Sequence, residues 1–144
     1  MTQADKELLL KDLCARLDTN LVCSIYRTDD EGVGYRDEIL HGYCKGDIWY
    51  EFYFREDCSI GIDNVSKIKP YLLPLSSMTE EQKREYNMLL TDIPTYEYEG
   101  GDIVTVFETY DNWMSIDYLN ANYFDFRGLI EKGLAIDATG LNIY

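Results

Sequence analysis

His41 and Cys44, in the run HGYC, are where this 144-residue chain brings an imidazole base and a thiol closest in sequence, and His41 is its single histidine. A Cys–His dyad needs the two side chains within hydrogen-bond reach, whereas residues three apart on a strand point to opposite faces. The pair therefore reads as a strand-end histidine and a hairpin-flanking cysteine. Without a second imidazole, neither a triad away from His41 nor the usual kind of zinc site can be assembled. The cysteines Cys14, Cys23, Cys44 and Cys58 show no CxxC spacing. They read as reduced thiols, with Cys14 and Cys23 at stripe positions suited to small buried hydrophobes. Gly32-Val33-Gly34 lacks the third glycine of a dinucleotide loop, and Gly100-Gly101 lacks the Lys and Ser of a phosphate loop. No calcium-loop pattern occurs, so the sequence leads us to expect no catalytic residues, no metal and no cofactor.

Two residue sets could bind rather than react. The aromatic run Trp49, Tyr50, Phe52, Tyr53 and Phe54 resembles a stacking platform, and Trp49, Tyr53 and Arg55 are its candidate contacts for a small molecule such as a nucleotide. Its neighbours Asp47, Glu51, Glu56 and Asp57 are anionic, where a nucleotide's phosphates call for cations, so the run reads first as a central strand packed on both faces. The other set is acidic. The chain has a formal net charge of −14, and residues 76–144 hold 13 acids against 4 bases. Such a surface repels nucleic-acid backbones and anionic membranes and attracts basic proteins. The candidate contacts are Glu97, Glu99, Asp102, Glu108 and Asp111.

The elements that must position these residues are marked along the chain. At 46% hydrophobic residues and this length, one domain with its own core is expected. Residues 4–17 carry Leu10, Leu13, Cys14 and Leu17 at helical spacing, with Lys6, Lys11, Asp12 and Arg16 elsewhere round the wheel. Leu21, Cys23 and Ile25 alternate with Val22, Ser24 and Tyr26, the pattern of a half-buried strand, and Thr28–Gly34 reads as a loop. Tyr35–Tyr43 and Asp47–Phe54 form a hairpin about Gly46, and Ser59–Asp63 adds a short strand in which Gly61 marks a bulge.

Pro70 and Pro74 make Lys69–Leu75 a rigid crossing rather than part of a ladder. Thr79 and Gln82 then form a reciprocal capping box, with Glu80 and Glu81 in the first turn and Gln82, Tyr86, Leu89, Leu90 and Ile93 on one stripe. Thr95–Glu99 and Asp102–Phe107 suggest a second hairpin. Residues 112–122, capped by Asp111 or Asn112, place Trp113, Ile116, Leu119 and Tyr123 near one helical face. A second helix is expected from Asp125 to Lys132, terminated at Gly133, before a short strand at Leu134–Ile136. The expected fold is α+β: an antiparallel sheet of about four to six strands bearing an N-terminal helix, a central helix and a C-terminal helix pair.

The stretches ELLLKDLCARL, KPYLLPLSSMTEEQKREY and DYLNANYFDFRGLIEKGLAI, taken together and in this order, resemble a group of uncharacterised small proteins encoded by phages and prophages of gut bacteria. That resemblance carries no assigned site residues. It implies a phage accessory protein acting in a bacterial cytoplasm, of the kind that binds and disables a host protein or sequesters a host signal. The absence of an 18-residue apolar run agrees with a soluble location.

Overall fold

The computed structural model describes residues 1–29, 32–45, 50–55, 58–90, 93–99, 102–108 and 113–144; for 29, 44–45, 50, 55, 58–59, 62–63, 93–99 and 102–108 it describes the backbone. The elements are α1 (Gln3–Ala15), β1 (Val22–Asp29), β2 (Gly32–Ile39), β3 (Gly42–Lys45), β4 (Tyr50–Arg55), β5 (Cys58–Gly61), a 3-10 helix (Ile62–Lys67), β6 (Ile68–Leu72), a 3-10 turn (Leu75–Ser77), α2 (Glu80–Leu89), β7 (Ile93–Glu99), β8 (Asp102–Glu108), α3 (Trp113–Ala121) and β9 (Ile136–Asp137). The fold is mixed α+β. Its contacts divide it into two compact units, Met1–Ser77 with Asn120–Tyr144, and Met78–Leu119.

In the first unit, α1 starts at a capping box the sequence reading missed. The Asp5 amide donates to the Thr2 hydroxyl (3.1 Å), and the Thr2 amide donates back to the Asp5 carboxylate (3.0 Å). The Thr2 hydroxyl also donates to the Asp5 carboxylate (2.7 Å), and this bond, followed by the one from the Thr2 amide, holds the Asp5 carboxyl below the usual carboxylate range. The helix buries Leu9 and Leu13 but also Asp12 and Arg16, while Cys14 is exposed. Its inward face is thus rotated from the expected stripe, towards Leu9 and the Asp12–Arg16 pair.

The four-stranded sheet has the order β2-β1-β6-β9. Most of the expected Thr28–Gly34 loop is strand: Thr28 pairs with Val33 and Asp29 with Gly32, whose φ of +122° glycine alone adopts easily. The Leu40 amide donates to the Leu21 carbonyl (2.8 Å), one step beyond the ladder. Because hydrogen-bonded and non-bonded pairs alternate in an antiparallel ladder, odd-numbered β1 residues turn their amides and carbonyls toward β2, and even-numbered ones toward β6. Cys23 opposite Pro70 is then a non-bonded pair, and the proline nitrogen faces away from β1. On that side β9 pairs in parallel only with Tyr71 and Leu72. Pro70 therefore sits inside a strand without removing a ladder bond, contrary to the expected crossing.

A second sheet, in the order β3-β4-β5, is antiparallel throughout, with a register shift between Tyr53 and Arg55 rather than at Gly61. Its central strand β4 buries Phe52 and Phe54. Both join Leu9, Leu13, Leu21, Cys23, Ile25, Val65, Ile68 and Leu72 in one core. β4 is the central strand of its sheet, as expected, but it is not packed on both faces: Phe52 and Phe54 are buried on one, while Glu51 and Tyr53 on the other are half-buried.

The expected helix from Asp125 to Lys132 does not form. The Asp125 carboxylate instead accepts from the amides of Leu129 (2.9 Å) and Ile130 (2.7 Å), four and five residues on, which gathers the chain into turns where a helix cap would bind two or three residues on. Gly133 does take left-handed geometry (φ +68°), its amide on the Ile130 carbonyl (2.9 Å). The C-terminal segment closes the unit through a buried ionic knot. Arg16 grips Asp12 with Nε (2.9 Å) and Nη2 (3.2 Å), and reaches the carbonyls of Asn120 (3.1 Å) and Phe124 (2.7 Å). Arg127 donates to Asp12 Oδ1 (2.7 Å) with its guanidinium 4.2 Å from the centre of the Phe126 ring. Asp12 and Arg16 have no exposed surface, so each charge depends on these partners.

In the second unit, α2 begins as expected: the Gln82 amide donates to the Thr79 hydroxyl (3.1 Å) and the Thr79 amide to the Gln82 side chain (2.9 Å). Gln82, Tyr86 and Leu89 are half-buried, Leu90 is exposed, and Ile93 belongs to β7. Tyr118 of α3 donates to Glu85 of α2 (2.9 Å) and its ring lies 6.2 Å from that of Tyr86. Burial, followed by the bond to Glu85 and the charges of Glu85 and Glu81, pushes the Tyr118 phenol up to about 12. This docking turns Ser115 and Leu119 inward and leaves Trp113 and Ile116 exposed, a rotation of the expected α3 face. β7 and β8 form the expected hairpin.

Candidate functional site

The two faces of the four-stranded sheet differ sharply. Cys23 and Ile25 of β1 and Ile68, Pro70 and Leu72 of β6 point into the core. Burial, and next the Asp12 charge, pushes the Cys23 thiol far up, so it is an inert packing group. Strand alternation puts Val22, Ser24, Tyr26 and Thr28 on the other face, opposite Ile39, Asp37, Tyr35 and Val33 of β2. Here Tyr26 and Tyr35 meet edge to face at 5.2 Å, and the Tyr71 hydroxyl donates to Asp37 Oδ1 (2.9 Å). Burial, together with the bond to Asp37 and its charge, raises the Tyr71 phenol above its ordinary value, while a Ser24 hydrogen bond opposes the rise. The face is open at β2: Val33 is 67%, Tyr35 65% and Ile39 40% exposed.

The C-terminal residues lie beside this face. The Tyr144 hydroxyl donates to the Tyr71 carbonyl (2.8 Å), and its ring stacks on Tyr123 at 3.6 Å and 6°. Tyr123 is left-handed (φ +61°), a conformation that costs a bulky residue about 1–3 kcal/mol. The stack, a hydroxyl bond to the Thr19 carbonyl and a bond from the Leu73 amide to the Tyr123 carbonyl hold it there. A groove of about 270 Å³ runs between Leu73, Ala138, Gly140, Asn142, Ile143 and Tyr144. No cationic side chain lines it, which makes it a poor seat for phosphate.

The structure places the residues singled out from sequence as follows. Tyr53 is half-buried, with its hydroxyl 3.4 Å from Glu51, whereas Trp49 and the Arg55 side chain lie outside the described residues. Glu97, Glu99, Asp102 and Glu108 hold in-step positions on the β7–β8 ladder, Glu99 opposite Asp102, Glu97 opposite Val104 and Ile93 opposite Glu108. Their side chains, and all of Asp111, lie outside the described residues. His41 is exposed, its amide on the Tyr53 carbonyl (2.8 Å); the Cys44 side chain is not among those described. Among the described residues no group of three His, Cys, Asp or Glu could hold a metal, and no helix is long and apolar enough to cross a membrane.

Sequence reasoning misses the Val33, Tyr35, Asp37 and Ile39 face because it ends a loop at Gly34 and pairs Tyr35–Tyr43 with Asp47–Phe54, whereas Gly32–Ile39 pairs with β1 and only Gly42–Lys45 with β4. The signal was present in the alternation from Val33 to Ile39, continuous across the assumed boundary. No protein-family model, curated protein or solved structure matches this chain. The site therefore rests on its own geometry and charge.

Proposed function

We propose that this chain is a non-catalytic binding protein whose acidic surface engages a basic surface on another protein. The observation that carries the reading is the net charge of −14. Opposite charge on the partner accelerates encounter and suppresses wrong partners. The resemblance to phage and prophage proteins supports a phage accessory role in the bacterial cytoplasm, the partner being a host protein such as a defence enzyme that the chain inhibits. Glu97, Glu99, Asp102, Glu108 and Asp111 are the proposed contacts. Capture of partners from host lysate at low and high salt tests this. Partners lost as salt rises support it, and retention that ignores salt removes the charge argument.

The alternative is a nucleotide-signal binder, as a sponge or as an enzyme acting on the nucleotide. It needs an aromatic cleft rimmed by cations. Of its candidate contacts Trp49, Tyr53 and Arg55, Trp49 and the Arg55 side chain lie outside the described residues; on the tyrosine face, strand alternation sends Arg27 and Arg36 to the side opposite Tyr26 and Tyr35, so β1 and β2 supply that face no cation. A nucleotide at a hundred times its Kd would stabilise the fold by about 2.7 kcal/mol. A flat thermal-shift panel is the expected result.

A further inference from the structure

We propose that β2 is a docking edge, and that its occupant is an extended protein segment of alternating side chains, apolar opposite Tyr35 and Ile39 and basic opposite Asp37, which adds to the sheet as a fifth strand. β2 is the terminal strand of its sheet, eight residues long and without proline; strand alternation turns the charges of Arg36 and Glu38 to the other face and leaves Asp37 as the one charged residue of β2 on the open face. Its backbone is arranged for a partner. The Leu40–Leu21 bond sets the phase of the ladder, so the even-numbered residues of β2 spend their amides and carbonyls on β1. Those of Val33, Tyr35, Asp37 and Ile39 face outward, and among the described residues no strand pairs with them.

The same four residues carry the exposed side chains, so one incoming strand would meet both a row of peptide groups and a row of side chains. That row reads apolar, aromatic, carboxylate, apolar. Among the described residues Asp37 accepts a hydrogen bond from Tyr71, and a carboxylate accepts more. A lysine or arginine opposite it forms a cross-strand ion pair, flanked by apolar contacts to Tyr35 and Ile39. A second copy of the chain is the poorer occupant. Two-fold antiparallel pairing centred on Asp37 would set two Asp37 carboxylates face to face between molecules that each carry −14.

The inference rests on the proposed function for the sign of the partner's charge alone, and the test separates the two. The full chain is titrated with three synthetic peptides: an alternating valine/lysine peptide with lysine opposite Asp37, the same peptide with glutamate for lysine, and oligolysine, which has no apolar row. Amide exchange is followed residue by residue. Binding of the valine/lysine peptide with slowed exchange at Val33, Tyr35, Asp37 and Ile39 is expected. Tyr35→Pro, which removes one outward donor and no bond to β1, weakens it about tenfold or more. Asp37→Lys weakens it about two- to fivefold and shifts preference to the glutamate peptide, a reversal that misfolding cannot produce. Oligolysine binding without protection of β2, alongside failure of the valine/lysine peptide, overturns strand docking and leaves the acidic-surface reading standing. Protection of the same amides in the protein alone, with a doubling of mass in sedimentation, overturns it in favour of a second copy.

Discussion

Asp12 and Asp37 are the same residue in opposite settings. Asp12 has no exposed surface and is held by two guanidiniums, whereas Asp37 lies on the open sheet face with a phenol as its bonded neighbour. At the first, charge has been removed from water and the fold must compensate for it; at the second, water does most of that work. The difference teaches where this molecule can tolerate change. The ionic knot is a condition of folding, and the tyrosine face is surface that the fold does not need.

The sharpest way to break the comparison is Arg16→Ala. It leaves Asp12 buried with Arg127 as its remaining cation and orphans the carbonyls of Asn120 and Phe124, so a loss of about 3–5 kcal/mol is expected in denaturant unfolding. A loss below about 1 kcal/mol, the scale of an exposed ion pair, would mean the knot is hydrated and the contrast false. Thr79→Ala provides the intermediate scale: one cap of a helix with no buried residue should cost about 1 kcal/mol, read on the Met78–Leu119 unit.

Tyr71→Phe removes one bond at the rim of the open face and should cost about 0.5–1 kcal/mol at neutral pH. The Tyr71 phenol lies above its ordinary value when folded, so the folded state keeps its proton at pH values where the unfolded chain has lost it. This stability is complete below about pH 10, the ordinary tyrosine value, and is lost as pH rises beyond it. The wild type should therefore lose stability more steeply than Tyr71→Phe in alkaline unfolding series, and parallel curves would show that neither burial nor the bond to Asp37 raises the Tyr71 phenol in the folded state. Tyr35→Ser gives up the ring contact with Tyr26 and should cost about 0.2–1 kcal/mol while weakening peptide binding, and a loss beyond about 2 kcal/mol would make Tyr35 part of the core.

The elements most legible in the sequence were those whose signal is local. Thr79 and Gln82 announce α2 within four residues, and the alternation of Leu21, Cys23 and Ile25 locates β1. Where the outcome depends on a distant partner, local pattern misled. Asp12 and Arg16 read as solvent-facing because nothing nearby says that Arg127 and the carbonyls of Asn120 and Phe124 will meet them. Pro70 read as a break because its acceptability depends on ladder phase, which is set by Leu21 and Leu40. Asp125 shows a third case. Its residue type reads as a helix cap, but there is no helix for it to cap: its carboxylate serves amides four and five residues on and holds turns instead.

The ionic knot also imposes an order in time. Asp12 and Arg16 leave the ribosome more than a hundred residues ahead of Asn120, Phe124 and Arg127, with the whole Met78–Leu119 unit made in between. At roughly 5–20 residues per second, α1 waits several seconds for the groups that let its charges leave water. During that interval an early collapse of α1 onto β1 and β6 would bury Arg16 without its distant acceptors, and is penalised for that reason. The unit that begins the chain is thus the one that finishes folding last, and a nascent chain stalled before Phe124 should present α1 to proteases that the released protein resists.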